Sequence, residues 1–91
     1  AQFFYPQGSE KSKQLADHIQ SALIKGLDPN NHREAKANAE YYLFRDNPYP
    51  IVIVECGFLS NPEEEQQLLD DEYQNKLAWG IFNGIIEYFN E

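Results

Sequence analysis

The sequence predicts an α/β domain with helices packed on a mostly parallel sheet, and three observations carry that expectation. Ile51-Val52-Ile53-Val54 is an unbroken β-branched run without polar alternation, the pattern of a strand covered on both faces. Leu15, Ile19, Leu23 and Leu27 recur every four residues, as on the buried stripe of a helix. Tyr73, Leu77, Ile81, Ile85 and Phe89 repeat that spacing near the end of the chain, so strand-like and helix-like segments alternate as they do in layered α/β folds.

In chain order, Ala1 to Tyr5 is short and aromatic and is closed by Pro6 and Gly8, which bound it as a strand. Ser9 stands at an N-cap position with Glu10 behind it, favourable at the positive end of a helix dipole, so a helix is expected from Ser9 to Lys25. Gly26 suits a left-handed stop. His32 to Glu40 is polar and Ala-rich without a period, which predicts an irregular connection or one loose turn, and Tyr41 to Phe44 reads as a short strand. Ile51 to Val54 is expected to be a central strand with helices on each side. Asn61-Pro62-Glu63-Glu64 has the form of a capping box with Pro at the first helical position, and a short helix to Leu69 should follow. Asp70 and Asp71 can cap the last helix, where Trp79, Phe82 and Ile86 add a second apolar side and predict a largely buried element.

Ninety-one residues make one small domain. Six Tyr, six Phe and one Trp within a 42% hydrophobic composition fill a compact core and exclude a disordered chain. A net charge of -8, from 15 acidic against 7 basic residues, has the wrong sign for nucleic acid or an anionic membrane. No apolar run approaches the ~20 residues of a membrane span, and no basic and apolar leader opens the chain. A single cysteine, Cys56, permits no internal disulfide. With no Met at position 1 and a strand-like run opening it, the chain is expected to be part of a longer protein, and removal of an initiator Met before Ala1 would leave the same start.

Glu55 follows the β-branched run directly, and ligands collect at the carboxyl ends of strands in open α/β sheets. The residue pattern leaves two meanings open, a functional carboxylate or a charge marking the return of the strand to solvent. Gly57 allows a close approach, and Ser60 and Asn61 place polar groups above the next helix. His18, beside an apolar stripe, and His32, in a loop, match no zinc-ligand spacing, and Cys56 has no basic neighbour that would make it a nucleophile. The acidic groups Glu63 to Glu65 and Asp70 to Glu72 fit helix N-termini.

Val54-Glu55-Cys56-Gly57-Phe58-Leu59-Ser60-Asn61-Pro62-Glu63-Glu64 resembles the signature of the zinc-dependent N-acetylmuramoyl-L-alanine amidases of the third amidase family. The likeness continues through Ala1-Gln2-Phe3, Leu15 to Ile19, Arg33 to Lys36 and Tyr73 to Tyr88 in the family's order, so it covers the whole chain. The aromatic first strand and the Asn-Pro-Glu-Glu cap look most like the germination-type branch of the spore cortex.

The resemblance implies that residues 1–91 are the C-terminal portion of a single phosphorylase/hydrolase-like catalytic domain, cleaving the amide between the lactyl group of peptidoglycan and L-Ala outside the cytoplasm, in a bacterial wall or spore cortex. It implies that Glu55 moves the proton beside a zinc, and that Arg33 and Lys36 lie by the substrate groove, where the bland alternative is a solvated surface pair. The two His and one Glu that the family uses as zinc ligands have no counterpart here. Zinc is therefore expected only in the complete enzyme, with the upstream part of the same protein as partner and the fragment alone inactive. Two other classes stay open. One is a non-catalytic module binding the cell wall or a partner, and the other is pairing of chains through an exposed sheet edge.

Overall fold

The computed structural model describes residues 2–26, 34–45, 48–55 and 62–91. Strand β1, Gln2–Pro6, ends in a turn in which Ser9 N–H donates to Pro6 O at 3.1 Å. Gly8 takes φ 88°, a left-handed conformation open to a residue without Cβ. Ser9 then caps helix α1, Glu10–Gly26, its Oγ accepting from Ser12 N–H at 3.2 Å. Gly26 is the last residue of the helix and has no left-handed φ, so it does not act as the expected stop.

The chain next forms strand β2, Lys36–Asn38, parallel to β1 with Phe4 opposite Lys36. The sequence pattern predicted an irregular connection here. The hydrogen-bonding partner of β2 lies some thirty residues earlier in the chain, and a strand held by distant pairing needs no period of its own.

Asn38 Oδ1 accepts from Glu40 N–H at 2.7 Å and Tyr41 N–H at 3.2 Å, a turn that leads into a single 3₁₀ turn over Tyr42–Phe44. The expected strand at Tyr41 to Phe44 is therefore a turn, closed by Phe44 N–H donating to Tyr41 O at 3.0 Å. Strand β3, Ile53–Glu55, pairs antiparallel with β1.

Among the described residues the sheet has three strands in the order β2-β1-β3, one pair parallel and one antiparallel. The α/β class stands, but the sheet is mixed instead of mostly parallel, and its central strand is β1. The reason lies in the connections. Helix α1 provides the crossover that a parallel pair requires, whereas among the described residues the one element between β2 and β3 is a 3₁₀ turn. Ile51 to Val54 is half-buried and flanks the sheet, because a β-branched run fixes extended backbone without fixing its place in the strand order.

Helices α2, Pro62–Leu68, and α3, Asp71–Phe89, complete the chain. Asp70 caps α3 as expected, accepting at Oδ1 from Glu72 N–H at 2.8 Å and Tyr73 N–H at 3.3 Å. The core lies where α1 and α3 meet one face of the sheet, and it joins Phe3, Ile19, Leu23 and Leu77 with Val52, Val54, Tyr73 and Ile81 packed around them.

Helix α3 is not largely buried. Trp79, Phe82, Ile86 and Phe89 are exposed, and the indole and phenyl rings of the first two stack with centroids 5.5 Å apart. A strict four-residue repeat advances about 40° per step on a helix of 3.6 residues per turn, so the stripe begun by Tyr73 has rotated away from the core by Phe89.

Candidate functional site

Side chains alternate between the two faces of a sheet, and the register assigns each face its residues. Phe3 and Val54 are paired and point to the helices, while Gln2, Phe4, Lys36, Ile53 and Glu55 share the opposite face. Glu55 ends β3 opposite Gln2 at the start of β1, on the face that α1 and α3 leave open.

Two neighbours shape the surroundings of this half-buried carboxylate. Tyr41 Oη donates to Glu55 Oε1 at 3.2 Å, and among the described residues no other donor reaches the carboxylate. The Tyr41 ring is held between Phe4, centroids 5.7 Å apart, and Phe44, at 5.4 Å. Burial is the first cause that pushes the Tyr41 hydroxyl above its ordinary value, and the hydrogen bond to Glu55 and the glutamate charge follow. The phenol therefore stays protonated as a donor through the neutral range.

Gln2 is buried and its Nε2 donates to Glu34 O at 2.8 Å, tying the first residue of β1 to the chain just before β2. Lys36 is exposed and faces the same side as Glu55, but β1 lies between their strands, which places those strands roughly 10 Å apart at two interstrand spacings. Arg33 lies outside the described residues, as do His32, Cys56, Gly57, Ser60 and Asn61.

His18 lies on α1, on the other side of the sheet, with Nε2 2.5 Å from Glu91 Oε2 and Nδ1 3.9 Å from Glu87 Oε2. It ties the end of α3 to α1. Among the described residues no three His, Cys, Asp or Glu side chains converge in a way that could hold a metal, so those residues do not build a zinc site. What the site offers is a half-buried carboxylate at a strand end with one oxygen held by a phenol.

Sequence reasoning set Glu55 at the end of a strand, where the structure has it, and singled out neither Tyr41, its hydrogen-bond partner, nor the buried Gln2. The available signals were Asn38, a turn former three residues before Tyr41, and the lone amide in an otherwise aromatic strand.

Comparison with known proteins adds an independent line. The Amidase_3 family model, described as N-acetylmuramoyl-L-alanine amidase, matches residues 1–87. The germination-specific N-acetylmuramoyl-L-alanine amidase of Bacillus subtilis (strain 168) is 38% identical over 91 residues, all of this chain and 38% of that protein. The CwlD amidase of Clostridioides difficile, solved in complex with the GerS lipoprotein, superposes with a TM-score of 0.95 at 45% identity over 98% of this chain and 45% of its own. An N-acetylmuramoyl-L-alanine amidase of Clostridium difficile 630 superposes with a TM-score of 0.90 at 31% identity, covering 99% of this chain and 48% of that one. The chain thus spans less than half the length of each of these relatives.

Proposed function

The chain belongs to the N-acetylmuramoyl-L-alanine amidase family, and from that premise we propose that it is the C-terminal portion of a catalytic domain that hydrolyses the lactyl to L-Ala amide of peptidoglycan. The observation that carries the reading is Glu55, fixed at the tip of β3 with one carboxylate oxygen held by Tyr41 and facing the side of the sheet that α1 and α3 leave open. In this role Glu55 takes a proton from the attacking water as the new C–O bond forms. It returns that proton to the amide nitrogen as the C–N bond breaks.

The zinc of the complete enzyme is proposed to be held by residues outside this chain, and the fragment alone to be inactive. The reading rests on the sequence, in which the two His and one Glu that the family uses as ligands have no counterpart. Lys36, on the same face as Glu55, and Arg33 are proposed to hold a substrate carboxylate. Action outside the cytoplasm, on the spore cortex during germination, is the narrower reading, supported by the germination-specific relative. No described helix is long and apolar enough to cross a membrane.

The test is Glu55→Gln in the complete protein, assayed on muropeptides with metal analysis alongside. Turnover should fall by about 10²–10⁴-fold, the usual contribution of a positioned general acid–base group, while zinc content stays at the wild-type level. Turnover that persists in the variant removes Glu55 from the mechanism.

A further inference from the structure

We propose that Tyr41 is a positioning residue for Glu55, an inference that rests on the amidase reading above and adds to it a residue that orients the proton-transferring carboxylate. Three independent restraints place the hydroxyl. Asn38 Oδ1 accepts from Tyr41 N–H at 3.2 Å and fixes the backbone at the exit of β2. Phe4 and Phe44 clamp the ring at interplanar angles of 56° and 71°. The antiparallel register sets Phe4 opposite Ile53, two residues before Glu55 on the same face, so the clamp and the carboxylate belong to one stretch of sheet.

A glutamate at the tip of a strand has three side-chain torsions and samples several rotamers unless something holds it. The phenol donates one hydrogen bond to Oε1 and selects a rotamer, and it leaves the second oxygen for proton traffic. A positioned base gains its rate from being within hydrogen-bond reach of the proton it moves, so loss of the hydroxyl lowers the fraction of enzyme aligned for transfer. The apolar clamp keeps the phenol in place with or without its hydroxyl, which makes Tyr41→Phe a clean probe.

The experiment uses the complete amidase with muropeptide substrate and compares wild type, Tyr41→Phe, Glu55→Gln, Glu55→Asp and the Tyr41→Phe/Glu55→Asp double variant. Tyr41→Phe should lower kcat by roughly 10–100-fold, the range seen when a group that orients a catalytic or ligating residue is removed, with KM, zinc content and thermal midpoint unchanged. In the Glu55→Asp background the carboxylate is one methylene shorter and out of reach of the phenol, so adding Tyr41→Phe should cost little more. Equal losses in both backgrounds, or a fall in kcat matched by a fall in stability, would mean a purely structural tyrosine and overturn the proposal. An inactive Glu55→Gln beside a fully active Tyr41→Phe overturns the role of Tyr41 alone, whereas an active Glu55→Gln overturns the amidase reading beneath it.

Discussion

Gly84 of α3 rests directly on the backbone of Ile19 in α1: a Cβ added to Gly84 would come within 2.8 Å of the Ile19 amide nitrogen and nearer still to its Cα. Helix propensity alone favours Ala over Gly by about 1 kcal/mol, but here the colliding atoms are backbone and cannot rotate aside. Gly84→Ala should therefore destabilise the chain by roughly 1–3 kcal/mol, the usual cost of overpacking. At Gly80 an added Cβ meets the terminal methyl of Leu23 first, a group that can change rotamer, so Gly80→Ala should cost less. Urea unfolding of the two variants measures the difference, and equal midpoints would contradict the helix contact described here.

Ser12 joins the first turn of α1 to the chain that enters β3. Its hydroxyl is fully buried, accepts from Ile51 N–H at 2.9 Å and receives a second hydrogen bond from Ser9 Oγ at 2.9 Å. Removing the acceptor leaves the Ile51 N–H without it, at a cost of about 1–3 kcal/mol for a buried unsatisfied donor. Ser12→Ala should lower the unfolding free energy by that amount, read from urea unfolding. Faster amide hydrogen exchange at Ile51 would show that the loss arises at this bond.

Helices α1 and α3 were legible because their information is local. Ser9 and Asp70 cap them as the sequence indicates, and Leu23, Ile19 and Leu77 face inward as their spacing requires. The position of Glu55 at a strand end was legible too, since the β-branched run stops at it. What the sequence hid depends on distant pairing. Lys36–Asn38 becomes a strand only because β1 lies beside it, and β3 runs antiparallel because no described element between it and β2 performs a crossover. Tyr41 escaped notice for the same reason: its partner Glu55 is fourteen residues away and is reached through a 3₁₀ turn that no period announces.

The tyrosine also gives the stability a pH dependence of defined sign. Burial, then the hydrogen bond to Glu55 and its charge, raise the Tyr41 hydroxyl above its ordinary 10.0. On raising the pH the unfolded chain releases this proton first, so the folded state carries no penalty below about pH 10 and loses stability as pH rises through the folded value. Urea midpoints between pH 9 and pH 12 should fall in the wild type and fall less steeply in Tyr41→Phe. The Lys13 ammonium, raised first by its hydrogen bond to Asp17, acts in the same direction but is common to both proteins. Identical slopes would show that the phenol titrates alike in the folded and unfolded chains.

Trp79 decides how α3 sits. The second apolar side of α3, with Phe82 and Ile86, predicts a buried indole, for which truncation would cost about 3–5 kcal/mol. The structure leaves Trp79 65% exposed, stacked on a half-exposed Phe82 and turned away from the core. In the 91-residue chain Trp79→Gln should therefore cost less than about 1 kcal/mol, the scale of a single exposed aromatic pair, whereas Leu77→Ala, two residues away and 6% exposed, should cost about 2–5 kcal/mol. Fluorescence offers a second check, because Trp79 is the one tryptophan. An indole already in water before unfolding should shift its emission little when the chain is denatured. A large red shift, together with a large loss of stability in Trp79→Gln, would return the Trp79 and Phe82 side of α3 to the core.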